Sequence, residues 1–327
     1  MLRDKTNTIE YDHDFLAQFE AGIDPLDPQR SKIPAQVLGY GEMSTVMTID
    51  GANPNLVYKR MPMFQNTAEL EQYLAVYDSC LDYMTAAGIN VVPAAITAIT
   101  PQSGNIVVYI IQEKLDGRAL INQAIHTLQA ADVARLFAAI LANIGRVFAY
   151  NDAQQDGIEL GLDAQMSNWA IANFDPGQGQ LADSVELIYI DTSSPLLKVH
   201  GQHQLDPELF LRSAPSFLRP VIRLLFVDDV MNRYYVRRQI VIDVIGNLYK
   251  EKREDVIPDL IEMANDFLEP AATSAGFQPV TAEEVAGYYR EDARIWSIYL
   301  SSRRLDRSLH RLLGKPYPYV LPGHIDR

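Results

Sequence analysis

What most constrains this chain is the stretch that follows its glycine pair. Leu38-Gly39-Tyr40-Gly41-Glu42-Met43-Ser44 leads not into a helix but into the β-branched run Thr45-Val46-Met47-Thr48-Ile49, closed by the hairpin signal Asp50-Gly51. A glycine pair that opens a helix marks a dinucleotide-binding unit. One that joins two antiparallel strands lies over them as a flap whose backbone amides can approach a phosphate closely. A hairpin that merely needs two glycines for its turn fits residues 38–46 as well, so the residues downstream must decide.

Residues 1–33 are polar and acidic, end in Asp24-Pro25-Leu26-Asp27-Pro28, and read as an N-terminal arm with turns. Strand texture fills 35–61, and a helical pattern over 66–87 ends at Gly88 as a C-cap. Val91-Val92-Pro93 and Ile106-Val107-Val108-Tyr109-Ile110-Ile111 read as two more strands. After Gly117 the texture turns helical, with Val133, Leu136, Phe137, Ile140, Leu141, Ile144, Val147 and Phe148 in one register. Trp169-Ala170-Ile171 and the run from Val185 to Ile190 are short strands around a turn at Asp175-Pro176-Gly177. Residues 205–312 read almost wholly as helix, broken near Pro220, Pro258, Pro270 and Pro279. This is α+β, not the alternation of a doubly wound sheet. The expected organisation is an arm over 1–33, a β-rich N-lobe with one helix over 34–115, and a larger, mainly helical C-lobe over 116–327.

Composition removes several functions. A formal net charge of −14 over 327 residues repels phosphate backbones, so no nucleic-acid partner is expected. Arg303, Arg304, Arg307 and Arg311 have the spacing of a solvated helix face. Cys80 is the only cysteine, sits in an apolar helical pattern, and is expected to be packed core in a reducing compartment. Met1 to Asn7 has no apolar stretch, so no secretory signal is expected, and no segment is expected to reach the roughly 18 apolar residues of a span. The expectation is a cytoplasmic protein without a membrane partner. His200 and His203 have H-x-x-H spacing beside Gly201, a loop context that makes metal binding the weaker reading. Ser44 and Ser193 have no histidine near them in sequence to act as base, which disfavours a serine hydrolase.

Four features lie in order behind the glycine pair. Lys59 ends the strand Leu56-Val57-Tyr58, and the next helix offers Glu71, with Glu69 as reserve, as its partner. Asp163-Ala164-Gln165-Met166-Ser167-Asn168 places an aspartate five positions before an asparagine, just after an amphipathic helix. Asp191 ends the apolar strand Leu187 to Ile190, where a buried strand can hold a carboxylate rigidly.

Together these residues resemble the protein-kinase-like superfamily, and most of all its aminoglycoside phosphotransferase and choline kinase branch. Asp191-Thr192-Ser193 and the hinge-like Gln112-Glu113-Lys114-Leu115-Asp116-Gly117 point to that branch. The resemblance implies a nucleotide site of Gly39, Gly41, Ser44, Val46, Lys59, Glu71, Gln112, Glu113 and Leu115, with 113–115 offering backbone contacts to adenine. It implies Asp163 as base, Asn168 and Asp191 as Mg²⁺ ligands, and ATP or GTP as donor to a hydroxyl of an unidentified small molecule. Departures are visible too. The third glycine is Ser44, Gly161 stands where the catalytic-loop histidine would be, and no Ala-Pro-Glu segment follows Asp191. These keep open a pseudokinase that binds nucleotide or partners without phosphotransfer, and they disfavour a protein kinase. Arg237, Arg238, Asp243 and Asn247 give one later helix a mixed face, suited either to the wall of an acceptor pocket or to solvent.

Overall fold

The computed structural model describes residues 9–323, apart from 42, 102–103, 176, 178–180, 213–214, 216, 218, 224–230 and 272–276. Asp228 and Asp229, a possible helix-start pair, lie outside the described residues, as do Met1 to Asn7 and Pro176 of the turn.

Strands β1 (Ala35–Tyr40), β2 (Thr45–Ile49), β3 (Leu56–Phe64), β4 (Ala94–Ile99) and β5 (Ile106–Glu113) form one antiparallel sheet in the order β1-β2-β3-β5-β4. Because side chains alternate along a strand, the sheet presents two different faces. Met47, Ile49, Leu56, Tyr58, Val107, Tyr109 and Ile111 face one side, where they meet Leu16 and Phe19. Met61, Met63, Val108 and Ile110 face the other, where they meet Tyr73 and Tyr77.

The first face is covered by α1 (His13–Glu20), capped by Asp12, whose Oδ1 accepts from the Phe15 N–H at 2.9 Å. The N-terminal arm is therefore not only turns. Its three-residue spacing of Leu16 and Phe19 makes a short helix that stays in place by burying both against the sheet. The second face takes α2 (Thr67–Ala86), capped by Asn66 and stopped at Gly88, whose φ of 79° suits glycine. Its buried residues Tyr73, Val76, Tyr77, Cys80 and Met84 follow the helical repeat. Val91 is not a strand: it makes one isolated bridge to Tyr189, and the edge strand begins after Pro93, which has no N–H for a ladder.

Beyond the hinge, α3 (Ala130–Ala153) is the core helix. Val133, Leu136, Phe137, Ile140, Leu141, Ile144 and Val147 are buried in one cluster with residues of α4 (Arg237–Lys250) and α5 (Ile257–Leu268). By length and composition alone α3 could cross a membrane, contrary to the expectation that no segment could. Its continuous apolar surface is used instead to fill the centre of the C-lobe, against α4, α5 and the start of α6 (Ala282–Leu312). Short strands β6 (Ile158–Leu160), β7 (Trp169–Ile171), β8 (Leu187–Tyr189), β9 (Leu197–Val199) and β10 (Gln202–His203) line the side towards the N-lobe. β7 pairs antiparallel with β8, while β9 lies between β10 and β6.

The chain closes on itself. After α6, Tyr317, Tyr319 and Leu321 return to pack with Met61, Phe64, Tyr73 and Tyr77. Arg60, only 2% exposed, joins both ends to the sheet. Its Nε and Nη2 donate to Glu20 at 2.8 and 2.6 Å, and its Nη1 donates to the Pro318 carbonyl at 2.7 Å. Tyr109 adds a third donor to Glu20 at 2.5 Å. Glu20→Gln removes the one carboxylate paired with this buried guanidinium among the described residues. Denaturant unfolding is expected to show a loss of about 3–5 kcal/mol; a change no larger than that of a surface substitution would contradict the role given to Arg60.

Candidate active site

The site is organised around the chain from Ile190 to Ser193, which leaves β8 and is grasped by side chains from four elements of the N-lobe. From β3, Lys59, 5% exposed, donates to the Ile190 carbonyl at 2.7 Å and lies 3.3 Å from Asp191 Oδ1. From β5, Gln112 Nε2 donates to the same carbonyl at 3.2 Å and to Thr192 Oγ1 at 3.4 Å. From α2, the Tyr73 hydroxyl donates to the Ser193 carbonyl at 3.0 Å, and the Tyr77 hydroxyl shares a hydrogen bond with Thr192 Oγ1 at 3.3 Å. At the start of β2, Ser44 Oγ donates to Ser193 Oγ at 3.4 Å.

The glycine segment joins β1 to β2, with Gly39 opposite Val46 and Tyr40 opposite Thr45. The Gly41 N–H donates to the Ser44 carbonyl at 2.8 Å, and a Cβ on Gly41 would stand 3.2 Å from Ser44 Oγ. The tight return thus limits Gly41, whereas a Cβ on Gly39 would meet only open space. Val46 pairs with Lys59 across β2 and β3, which sets the flap above the lysine.

Asp163 and Asn168 flank the turn that enters β7. Asn168 Nδ2 donates to the Asp163 carbonyl at 3.1 Å, which spends the amide nitrogen and leaves its oxygen to be offered elsewhere. Asp163 Oδ1 accepts from the Gln165 N–H at 3.3 Å. The Ile190 N–H donates to the Asn168 carbonyl at 2.9 Å, so Asn168 and Asp191 emerge side by side where β7 begins and β8 ends. Both Asp163 and Asp191 push the pKa of the Tyr189 phenol further up, after burial, so their charges converge on one residue.

Burial alone would raise the Asp191 carboxyl, but the Lys59 ammonium and the Ser193 hydroxyl and N–H outweigh it and hold the pKa below the ordinary 3.8. All three donors, Lys59 at 3.3 Å, Ser193 N–H at 3.3 Å and Ser193 Oγ at 2.7 Å, act on Oδ1; none of these bonds uses Oδ2. An amide oxygen at Asn168 and a carboxylate oxygen at Asp191 make a hard, two-oxygen donor set. Among the described residues no group of three or more His, Cys, Asp or Glu could hold a metal ion by itself.

Two expected site residues lie elsewhere. Glu71 is exposed and does not pair with Lys59. Glu69 accepts from Arg212 at 2.5 and 3.0 Å and from the Gln65 N–H at 2.8 Å, closing the start of α2. The causes differ. Glu71 falls on the side of α2 away from Tyr73 and Tyr77, whereas Glu69 shares their side but sits one turn earlier, at the helix start, where Arg212 holds it. Gln112 belongs to the ladder of β5, with its side chain turned inwards to Ile190 and Thr192, not out along the hinge. Glu113 is exposed and Leu115 half-buried, while the Lys114 N–H is engaged by the Asn55 carbonyl at 2.7 Å. The mixed face of α4 is not a pocket wall: Asp243 accepts from Gln165 at 3.2 Å, Asn247 donates to Asp243, and Arg238 pairs with Glu284 of α6 at 2.5 Å.

Gly161 has a steric explanation. A Cβ there would stand 2.9 Å from the Tyr235 ring and 3.0 Å from Leu196 Cβ. Tyr235 and Leu196 thus fill the space that a side chain at 161 would take, and the Gly161 N–H donates to the Leu196 carbonyl at 2.9 Å.

An antiparallel sheet with one crossing helix, a hinge, and a helical lobe that returns an aspartate to a sheet lysine is consistent with the bilobal kinase-like fold. The family of unknown function DUF6206 matches residues 26–307, and the chain belongs to that family. No curated protein matches it. Among solved structures, the one titled "WaaP in complex with acyl carrier protein" is similar at 16% identity and a TM-score of 0.30, over 70% of this chain and 89% of that one. A likeness at that level says nothing about chemistry.

Two outcomes are expected. A carboxyl whose pKa is lowered by folding adds stability above its unfolded value and loses it as pH falls through the folded one. The stability gap between the protein and Asp191→Asn should therefore be full at neutral pH and shrink only below about pH 4; a gap unchanged on acidification would contradict the ion pair. Gly161→Ala should cost about 1–3 kcal/mol by overpacking against Tyr235 and Leu196; unchanged unfolding would show that the space is not filled.

Proposed function

We propose that the protein is an ATP-dependent phosphotransferase acting on a hydroxyl of a small molecule. The observation that carries this reading is the 3.3 Å pairing of Lys59 with Asp191 beneath the β1–β2 flap, at the end of a strand pair that also presents Asn168. Lys59 places a positive charge where the α- and β-phosphates would lie, and glycine at 39 leaves room for their approach. Asn168 and Asp191 would hold Mg²⁺ through the amide oxygen and Oδ2, the remaining coordination coming from phosphate oxygens and water, as this ion prefers. Bound there, Mg²⁺ would supply charge neutralisation on the transferred phosphoryl group.

On this reading Asp163 orients the acceptor hydroxyl and takes its proton. Its loop is fixed by the Asn168 amide and, through Gln165, by buried Asp243. Phosphoryl transfer asks mostly for such positioning. In place of a carboxylate from α2, Tyr73 holds the Ser193 carbonyl and Tyr77 the Thr192 hydroxyl, which leaves Lys59 committed to Asp191. Glu113 to Leu115 form the strand-to-loop segment proposed to border adenine. Small polar residues after Asp191 favour a small-molecule kinase of the aminoglycoside phosphotransferase type over a protein kinase. The acidic chain favours a cationic or zwitterionic acceptor.

A second reading, nucleotide binding without transfer, draws on the missing α2 carboxylate and on Tyr235 at the place of the loop histidine. Calorimetry and ADP-release assays separate the two. On the first reading the protein binds Mg²⁺–ATP or Mg²⁺–GTP. Asp163→Asn keeps binding but lowers turnover about 10²–10⁴-fold, whereas Asp191→Ala weakens binding itself. Binding with no ADP release across polyols, amino alcohols, aminoglycosides and amino acids would favour the second reading; absence of Mg²⁺–nucleotide binding would overturn both.

A further inference from the structure

The end of α6 carries a feature the proposed activity does not use. Ile298, Leu305, Leu309 and Leu312 recur at spacings of seven, four and three, which places them on one side of the helix. That side is outward: all four are exposed, and exposure climbs to 85% at Leu312 and 67% at Leu313. Scattered surface leucines are ordinary, but a continuous apolar ridge is not.

The ridge has its own charge. Between 293 and 315 the sequence carries five arginines and Lys315 against a single aspartate, in a chain whose net charge is −14. Arg303 is turned inwards, against Tyr299 and Tyr319, and Arg304 donates to the Gly323 carbonyl at 2.6 Å. Arg294, Arg311 and Lys315 are exposed and bound the ridge at its two ends and along one edge. Among the described residues of the tail, Tyr317, Tyr319 and Leu321 are buried on the N-lobe side and do not cover it.

We propose that the last four turns of α6 dock this ridge onto an anionic bilayer surface. Charge complementarity selects that occupant. A second copy pairing through the same face would set one basic strip against another. Its most exposed apolar side chains are at the Leu312–Leu313 tip. Such a helix sinks its apolar side to the acyl boundary and keeps its basic edge at headgroup level. The inference is independent of the nucleotide site.

The test is flotation of the full chain with phosphatidylcholine vesicles and with phosphatidylcholine–phosphatidylglycerol vesicles. Binding is expected to the anionic vesicles only and to fall as salt is raised. Arg311→Gln with Lys315→Gln should weaken it about thirtyfold, at roughly 1 kcal/mol per basic residue. Leu309→Asp with Leu312→Asp should abolish it while thermal unfolding stays unchanged, both side chains being outside the core. Equal binding to neutral vesicles, binding indifferent to both double variants, or no vesicle binding would overturn the proposal. So would a self-association or acidic-protein contact that the leucine variants remove while vesicles are ignored.

Discussion

The structure depends on how the short chain from Ile190 to Ser193 is held. It leaves the C-lobe sheet as backbone with open polar groups, and the N-lobe answers them one by one. Lys59 and Gln112 take the Ile190 carbonyl, Tyr73 takes the Ser193 carbonyl, and Tyr77 and Ser44 meet the hydroxyls of Thr192 and Ser193. Buried polar groups are tolerable only when paired in this way. The lobes therefore meet through a satisfied network, and Asp191 is fixed at its centre through Oδ1.

That arrangement explains why the residues after Asp191 are small and hydroxylated. Thr192 is both an acceptor for Gln112 and a partner for Tyr77, and Ser193 turns its own hydroxyl and N–H back on Asp191. A bulky apolar side chain at 192 would take from the buried Tyr77 hydroxyl its bond to Thr192, at about 1–3 kcal/mol, and leave Gln112 only the Ile190 carbonyl. The choice of tyrosines on α2 and hydroxyls at 192–193 is one design. It fixes Asp191 without the helix carboxylate expected from the resemblance.

Much of this was legible in the sequence because it depends on local order. A glycine pair leading into a strand, a lysine in the next strand, an aspartate five before an asparagine and an aspartate closing an apolar strand are features of consecutive residues, although Lys59 does not end its strand, which runs on to Phe64. The helix over 66–87 and the core register of α3 followed from apolar spacing in the same way. The partner of Lys59 did not: Glu71 is turned away by the phase of α2, and Glu69 is taken by Arg212, 143 positions further along the chain. The inward turn of Gln112 and the hub at Arg60 were hidden for a like reason. Arg60 sits beside Lys59 in sequence but points to the opposite face, and its partners Glu20 and Pro318 are 40 and 258 positions away. The net charge of the chain similarly concealed a basic helix end, since a sum over 327 residues has no position.

The most direct test of the central claim is a crystal structure with Mg²⁺ and a non-hydrolysable ATP analogue. The account predicts the phosphates under Gly39 and Gly41 beside Lys59, with a metal bridging the Asn168 amide oxygen and Asp191 Oδ2. Nucleotide bound away from Lys59, or a metal that ignores both Asn168 and Asp191, would contradict it.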